Sequence, residues 1–335
     1  MTSLFNRTAW GRIRLTGADR VRFLHNQTTN HIEQLSPGQG CYTVFVTSTG
    51  RTIDLATVYA FADSLLVVVS PGMTQQLYDW MDRYIFFSDK VTLSDESEQT
   101  FMFTLLGDGV ENVIKQLGAT DLEGKPFTHQ TISLSETTEP ITIAVGTDLA
   151  IAGYTIWGTQ TDAKTIEQKL LAEGATLQSQ SDWEALRIQQ GHPTPGAELT
   201  DDENPLEAGL WDSISFEKGC YIGQETIARL NTYKGVKKKL WGLQLASPLS
   251  PTVNLTELAV IADGSKVGKI TSLSETGDFG LGYVRTKAGE EGLDVLITSK
   301  HDSPDEQTDA ALPIKAKTVS LPFVRHEYYT AETSD

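Results

Sequence analysis

The chain has 335 residues, 39% of them hydrophobic and 21% charged, and a formal net charge of −17. That length allows two or three domains with full cores, and no apolar run approaches the ~18–20 residues of a membrane-spanning helix. So acidic a surface repels nucleic acid and anionic membranes at long range, which argues against direct nucleic-acid binding.

Cys41 and Cys220 are the only cysteines. They are too few for a disulfide framework or a four-cysteine zinc or iron–sulfur site, and they fit a reducing cytoplasm. Met1 to Arg7 lacks the basic-then-apolar pattern of a secretory signal.

In chain order, Arg12–Leu15 alternates and stops at Thr16-Gly17, a short strand and a turn. Ala18 to Asn30 has Val21 and Leu24 at helical spacing, with His25 and Asn30 as capping and turn residues near its end. Strands are expected at Cys41–Val46, Thr52–Tyr59, Leu65–Val69 and Phe101–Leu106, with Cys41 a packed thiol. One helix carries Met73, Leu77, Trp80, Met81, Tyr84 and Ile85 on a single face, a core stripe. Another has Val110, Val113, Ile114 and Leu117 in register and stops at Gly118. This order of short strands and helices predicts small α+β units and no doubly wound sheet.

Residues 119–140 read as a polar connector with at most a short strand. Ile141–Val145 and Ile151–Trp157 read as a hairpin, and Ala163–Glu173 as a helix. Ser181-Asp182-Trp183-Glu184 has the capping-box pattern, and the helix it opens runs through Arg187 to Gln190 and ends at Gly191. The stretch Phe216-Glu217-Lys218-Gly219-Cys220-Tyr221-Ile222-Gly223-Gln224-Glu225 is the richest in chemistry. Gly219 and Gly223 permit tight turns, and Cys220 falls just before a helix. A helix N-terminus and Lys218 would both favour its thiolate. On these residues alone, a small residue packed at a strand-to-helix bend explains Cys220 equally well.

Arg229, Lys234, Lys237, Lys238 and Lys239 follow as a cluster of cations. It is either a solvated loop or a counter-charge for an anionic ligand. From Leu240 onward, short alternating strands separated by turn residues predict an all-β barrel, with a frayed tail from Arg325.

The octapeptide from Lys218 to Glu225 resembles the signature of the folate-binding YgfZ family, relatives of the glycine-cleavage T-protein aminomethyltransferase. Asn204-Pro205-Leu206-Glu207-Ala208-Gly209-Leu210 and Phe23 to Asn30 resemble further segments of that family, in its order. The resemblance implies an α+β fold: a ring of ferredoxin-like subdomains around a folate, followed by a small C-terminal β-barrel. It places the folate-binding region at 1–235, split near 120–140, and the barrel at 236–335.

Trp183 to Pro193 resembles the T-protein segment whose acid reads the pterin edge, and Gln189 stands at that acid's position. An amide still offers that edge one donor and one acceptor. Gly50-Arg51-Thr52-Ile53-Asp54 resembles the T-protein hairpin that carries two acids; the second position is Leu55, which counts against glycine cleavage.

The resemblance therefore implies tetrahydrofolate or a derivative as cofactor. Gln189 would meet the pterin and Arg229 the folate tail, with Trp211 and Asp54 also in the binding site. Cys220 would be a reactive thiol or transient ligand and Lys218 its electrostatic partner. The implied function is an accessory role in assembling or repairing iron–sulfur enzymes, the client partners, and through them in tRNA modification. Whether the chain is itself an enzyme stays open. A tetrahydrofolate-dependent aminomethyltransferase and a non-catalytic folate scaffold are the alternatives.

Overall fold

The computed structural model describes residues 2–119, 122, 125–299 and 313–326. The chain divides into two compact units. The first comprises Met1–Val46, Asp54–Trp183 and Ser213–Ile222; the second comprises Thr47–Ile53, Glu184–Asp212 and Gly223–Asp335.

The first unit begins with β1 (Thr2–Asn6), β2 (Gly11–Thr16), α1 (Arg20–Gln27), β3 (Gly40–Val46), β4 (Thr52–Ala60, from Asp54 onward) and β5 (Ser64–Val69). It continues through α2 (Thr74–Arg83), β6 (Thr92–Asp95), β7 (Thr100–Gly107), α3 (Val110–Gln116), β8 (His129–Ile132), β9 (Ile141–Val145), β10 (Gly153–Thr159), α4 (Ala163–Ala172) and β11 (Ala175–Leu177). One sheet has the order β3-β4-β5-β2-β6, the other β11-β1-β7-β10-β9-β8. In the second sheet β1 and β11 pair in parallel, and the remaining pairs are antiparallel.

β7 shows how a period of two builds this unit. Phe101, Phe103 and Leu105 pack with Val113 and Ile114 of α3 and with Ile166 and Leu170 of α4. Met102 points to the other face, where it joins Ala144 and Trp157 against Tyr59, Leu66 and Val68 of the five-stranded sheet. An ion pair is buried in the same unit. Arg7 Nη1 lies 2.6 Å from Asp148 Oδ2, and Thr57 Oγ1 donates to Asp148 Oδ1 at 2.8 Å. The Arg7 guanidinium also sits 4.1 Å and 4.6 Å from the ring centroids of Trp10 and Trp183.

Helix α5 (Gln180–Gln190) enters the second unit at Glu184. It starts earlier than the capping pattern at Ser181 predicts. Ser179 N donates to Asp182 Oδ2 at 2.9 Å, and Asp182 N donates to Ser179 Oγ at 3.1 Å. The box is therefore Ser179 with Asp182, one of two overlapping patterns in that stretch, and Glu184 is left to pair with Arg187.

After α6 (Gln224–Thr232) come β12 (Lys238–Leu245), β13 (Leu258–Ala262), β14 (Ser265–Leu273), β15 (Phe279–Arg285), β16 (Asp294–Ser299) and β17 (Ile314–Val319). They close into a barrel in the order β12-β15-β14-β13-β16-β17. Closure removes free sheet edges, and the interior is filled by residues such as Leu243, Val260, Ile270, Val284 and Ile297. The α+β class and the terminal barrel agree with expectation.

The tail expected to fray lies largely outside the described residues. Within them, Arg325 N donates to Gly209 O at 2.8 Å, and the Arg325 side chain pairs with Asp212 at 3.0 Å.

Candidate functional site

In the first unit, the segment Ser213–Ile222 is fastened to the end of α1. Thr29 Oγ1 donates to Ser213 O at 2.7 Å. Ser215 N donates to Thr29 O at 3.0 Å, and Ile222 N donates to Asn26 O at 3.2 Å. Between these ties Lys218, 5% exposed, reaches inward. Its Nζ donates to the carbonyls of His25, Thr28 (2.7 Å) and Asn30 (2.8 Å). Helix α1 ends at Gln27, and a helix end leaves carbonyls in need of donors. An ammonium carries three N–H bonds, one for each of these acceptors. Burial pulls its pKa down to about 8, while Cys41 and Glu33 act to raise it.

This arrangement gives Lys218 a structural role beside the one expected of it. Cys220 is exposed, whereas the ammonium is buried and committed to the end of α1. Lys218 also acts on Cys41, whose pKa burial pushes up to about 12 while Lys218 pulls it down. A buried cation takes the acceptors available inside the fold, because an unsatisfied one is costly. The two motif glycines also differ. Gly223 has φ +80° and serves as the N-cap of α6. A Cβ on Gly219 would meet nothing within 4 Å, so no close approach requires a glycine there.

Asp54 is fully buried in β4. Its carboxylate accepts from Ser70 N at 2.9 Å and from Ser70 Oγ at 2.6 Å. Burial pushes its pKa up to about 7, and the Ser70 and Leu55 hydrogen bonds pull the other way. Leu55 is buried as well. Asp54 is thus an internal group of the five-stranded sheet, engaged by Ser70 rather than offered to a ligand.

In the second unit, Gln189 is exposed on the last turn of α5, and Arg229 is exposed on α6. Arg229 lines a cavity of about 420 Å³ with Glu225, Thr226, Leu230, Tyr233 and Lys237. Trp211 is buried, 4% exposed, which makes it a packing residue.

Beneath Gln189 lies a network with no local signature in the sequence. Arg187 Nη1 donates to Glu198 Oε2 at 3.1 Å and to His192 O at 3.0 Å, and Nη2 donates to Ser272 Oγ at 2.9 Å. Glu198 Oε1 also accepts from Thr271 Oγ1 at 2.7 Å and Ser272 Oγ at 2.6 Å. This ties α5 to β14. A second buried acid, Glu203, lies 2.7 Å from Lys238 Nζ and 2.8 Å from Lys269 Nζ. Lys239 is buried too; burial pulls its pKa down to about 8, with Glu290 raising it. Of the cation cluster read from the sequence, Lys238 and Lys239 therefore belong to the fold, while Arg229, Lys234 and Lys237 face solvent.

The GCVT N-terminal domain family matches residues 1–218. The chain belongs to this family. This GCVT-family chain is 45% identical over 293 residues to a chloroplastic protein of Arabidopsis thaliana provisionally named a transferase; the match spans 86% of this chain and 66% of that one. It is 26% identical over 338 residues to an aminomethyltransferase of Halalkalibacterium halodurans, spanning 96% of this chain and 86% of the relative. Among solved structures it resembles the glycine cleavage system aminomethyltransferase T of Bartonella henselae, with a TM-score of 0.78 at 19% identity, over 97% of this chain and 87% of that one. At that identity the likeness establishes the fold alone. No helix among the described residues is long and apolar enough to cross a membrane.

Proposed function

We propose that this chain is a YgfZ-like accessory protein that binds tetrahydrofolate or a derivative. It would use Cys220 as a reactive thiol or transient ligand in assembling or repairing iron–sulfur enzymes, and through them support tRNA modification. The observation that carries this reading is an exposed Cys220 on a segment tied down at Ser213, Ser215 and Ile222. The aminomethyltransferase names of the relatives add the folate expectation.

Gln189 is exposed on α5, and its amide presents both a donor and an acceptor to a pterin edge. Arg229 supplies a planar guanidinium suited to a folate carboxylate. Asp54 and Trp211 fit the ligand poorly, since Ser70 occupies the first and the second is buried. Bound folate supplies a one-carbon carrier. Cys220, as thiolate, supplies a nucleophile or a soft ligand. An iron–sulfur cluster is cargo in this scheme. We place the protein in the cytoplasm, and note that the plant relative is chloroplastic by name.

The relatives' names favour a second reading, an aminomethyltransferase. Leu55, buried where the T-protein resemblance expects an acid, weighs against it. Titration calorimetry of tetrahydrofolate against wild type, Gln189→Ala and Cys220→Ala tests both. Micromolar binding lost with Gln189→Ala and kept with Cys220→Ala supports the proposal. Absence of binding to any reduced or oxidised folate overturns it. Release of ammonia from an aminomethylated carrier protein would instead establish the aminomethyltransferase.

A further inference from the structure

We infer that Lys218 is the positioning residue of the Cys220 segment: its ammonium bolts residues 213–222 to the C-terminal end of α1 and so fixes where the thiol is presented. The functional weight of this inference rests on the reading of Cys220 as the working thiol. The fastening itself does not.

The burial pattern is the first support. Phe216, Glu217, Gly219 and Cys220 are all exposed, while Lys218 among them turns inward. Lysine is the residue least expected to do so unless its charge is matched. Here it is matched by the carbonyls of His25, Thr28 and Asn30, at the helix end that carries a partial negative charge. A neutral amine has two N–H bonds and would leave one carbonyl without a donor, so the protonated form completes the cage.

The neighbours fit this role. His25 is buried, and burial first, then Lys218, lowers its pKa. The His31 ring packs against His25 with centroids 4.9 Å apart. Glu33 is a half-exposed carboxylate 3.9 Å from His25 Nε2. Cys41, on β3, stays a thiol because burial pushes its pKa up to about 12. The Tyr221 ring lies 4.9 Å from Lys218 Nζ and covers the ammonium from the segment's own side. The three carbonyls join α1 and the turn after it to the motif.

The cage ties the two ends of the segment together. The Ser215 and Ile222 amides donate to Thr29 and Asn26, which are interleaved along the chain with the Lys218 acceptors His25, Thr28 and Asn30. Loss of the ammonium therefore frees the middle of the segment and weakens both ties at once.

The test is amide hydrogen exchange read by mass spectrometry on peptides covering 23–31 and 213–223, in wild type, Lys218→Met and Lys218→Arg. Alkylation of Cys220 across pH 6–10 is read on the same peptides. Lys218→Met is expected to speed exchange at Ser215 and Ile222 at least about tenfold, with the midpoint pH of Cys220 alkylation unmoved. Lys218→Arg, whose guanidinium offers several donors, should restore part of the protection.

Unchanged exchange in Lys218→Met overturns the inference. So does a rise of about one unit in the alkylation midpoint with exchange unaltered, which would make Lys218 the thiolate's partner. Should Lys218→Met fail to fold, wild type labelled with ¹⁵N-lysine decides: a caged ammonium gives a slowly exchanging NH₃⁺ signal near neutral pH, and its absence sinks the cage. A Cys220→Ala protein that keeps this protection yet supports iron–sulfur enzymes normally would end the thiol reading and leave the fastening intact.

Discussion

Arg187→Met should destabilise the second unit more than any exposed substitution. Arg187 is 5% exposed and Glu198 is fully buried, and their side chains meet at 3.1 Å. Removing the cation leaves the Glu198 carboxylate with neutral donors: Thr271 Oγ1 at 2.7 Å, Ser272 Oγ at 2.6 Å and Thr194 N at 3.2 Å. Breaking a buried pair from one side costs about 3–5 kcal/mol. For a domain of roughly 150–250 residues each kcal/mol lowers Tm by about 2–4 °C, so a loss of about 6–20 °C is expected.

Glu198→Gln alone should also destabilise, because it removes the buried counter-charge and leaves the guanidinium only its ion pair with half-exposed Glu184. The double variant buries neither charge and should recover part of the loss, with a coupling energy of at least about 1 kcal/mol. Urea unfolding followed by tryptophan fluorescence at pH 7 measures all four corners of the cycle. Single losses that add to the double loss within about 0.5 kcal/mol would refute the reasoning.

Asp54 should make stability fall with rising pH. Its folded pKa, pushed up to about 7 from an ordinary 3.8, means the folded state holds a proton that the unfolded chain releases. This contribution is present in full below about pH 4 and is lost as pH rises through about 7, by up to roughly 4 kcal/mol. Asp54→Asn should flatten the profile over that window, and parallel wild-type and variant curves would show the carboxyl titrates normally. Under the folate proposal, Gln189→Glu would present a carboxylate to the pterin edge and should tighten tetrahydrofolate about three- to tenfold by calorimetry; weaker binding would count against Gln189 as the pterin contact. Iodoacetamide at pH 7.5 should label native protein once, at Cys220, and denatured protein twice, since Cys41 is held as a thiol with its pKa pushed up to about 12; native labelling of Cys41 would contradict that raised pKa. Gly219→Ala should be neutral, while Gly223→Ala, at φ +80°, should cost about 1 kcal/mol by thermal melting; equal effects would mean both positions need glycine's freedom.

Strong local periodicity made much of the fold legible. The alternation of Phe101 to Leu106 marked β7, whose two faces are the two packing layers of the first unit. The stripe through Leu77 and Met81 marked α2, where both are buried. Short alternating runs marked the barrel. What escaped was set by pairing rather than pattern. β1 is held between β7 and β11, partners about a hundred and more residues away in the chain. β11 has three residues, too few to show any period. At the start of α5, two overlapping Ser-x-x-acid patterns competed, and sequence alone cannot rank two boxes whose residues are equally suited to the cap.

At the candidate site, residue types were legible and their directions were not. Cys220 is displayed, one of the two readings its neighbours left open, and the lysine two residues before it points to α1. The same holds for the basic stretch after α6. Lys238 is drawn to the buried Glu203 and Lys239 is buried beside Trp241, because long aliphatic stems let lysine span a core and still find a counter-charge or ring. An anionic partner approaching that stretch meets Arg229, Lys234 and Lys237, the members left in solvent. Three cations release few counterions, so binding to a nucleic acid through them would carry a log–log salt slope of about three at most. The net charge of −17 opposes a polyanion's approach at long range. Three cations are enough to orient the few carboxylates of a small ligand, for which a single well-placed guanidinium suffices.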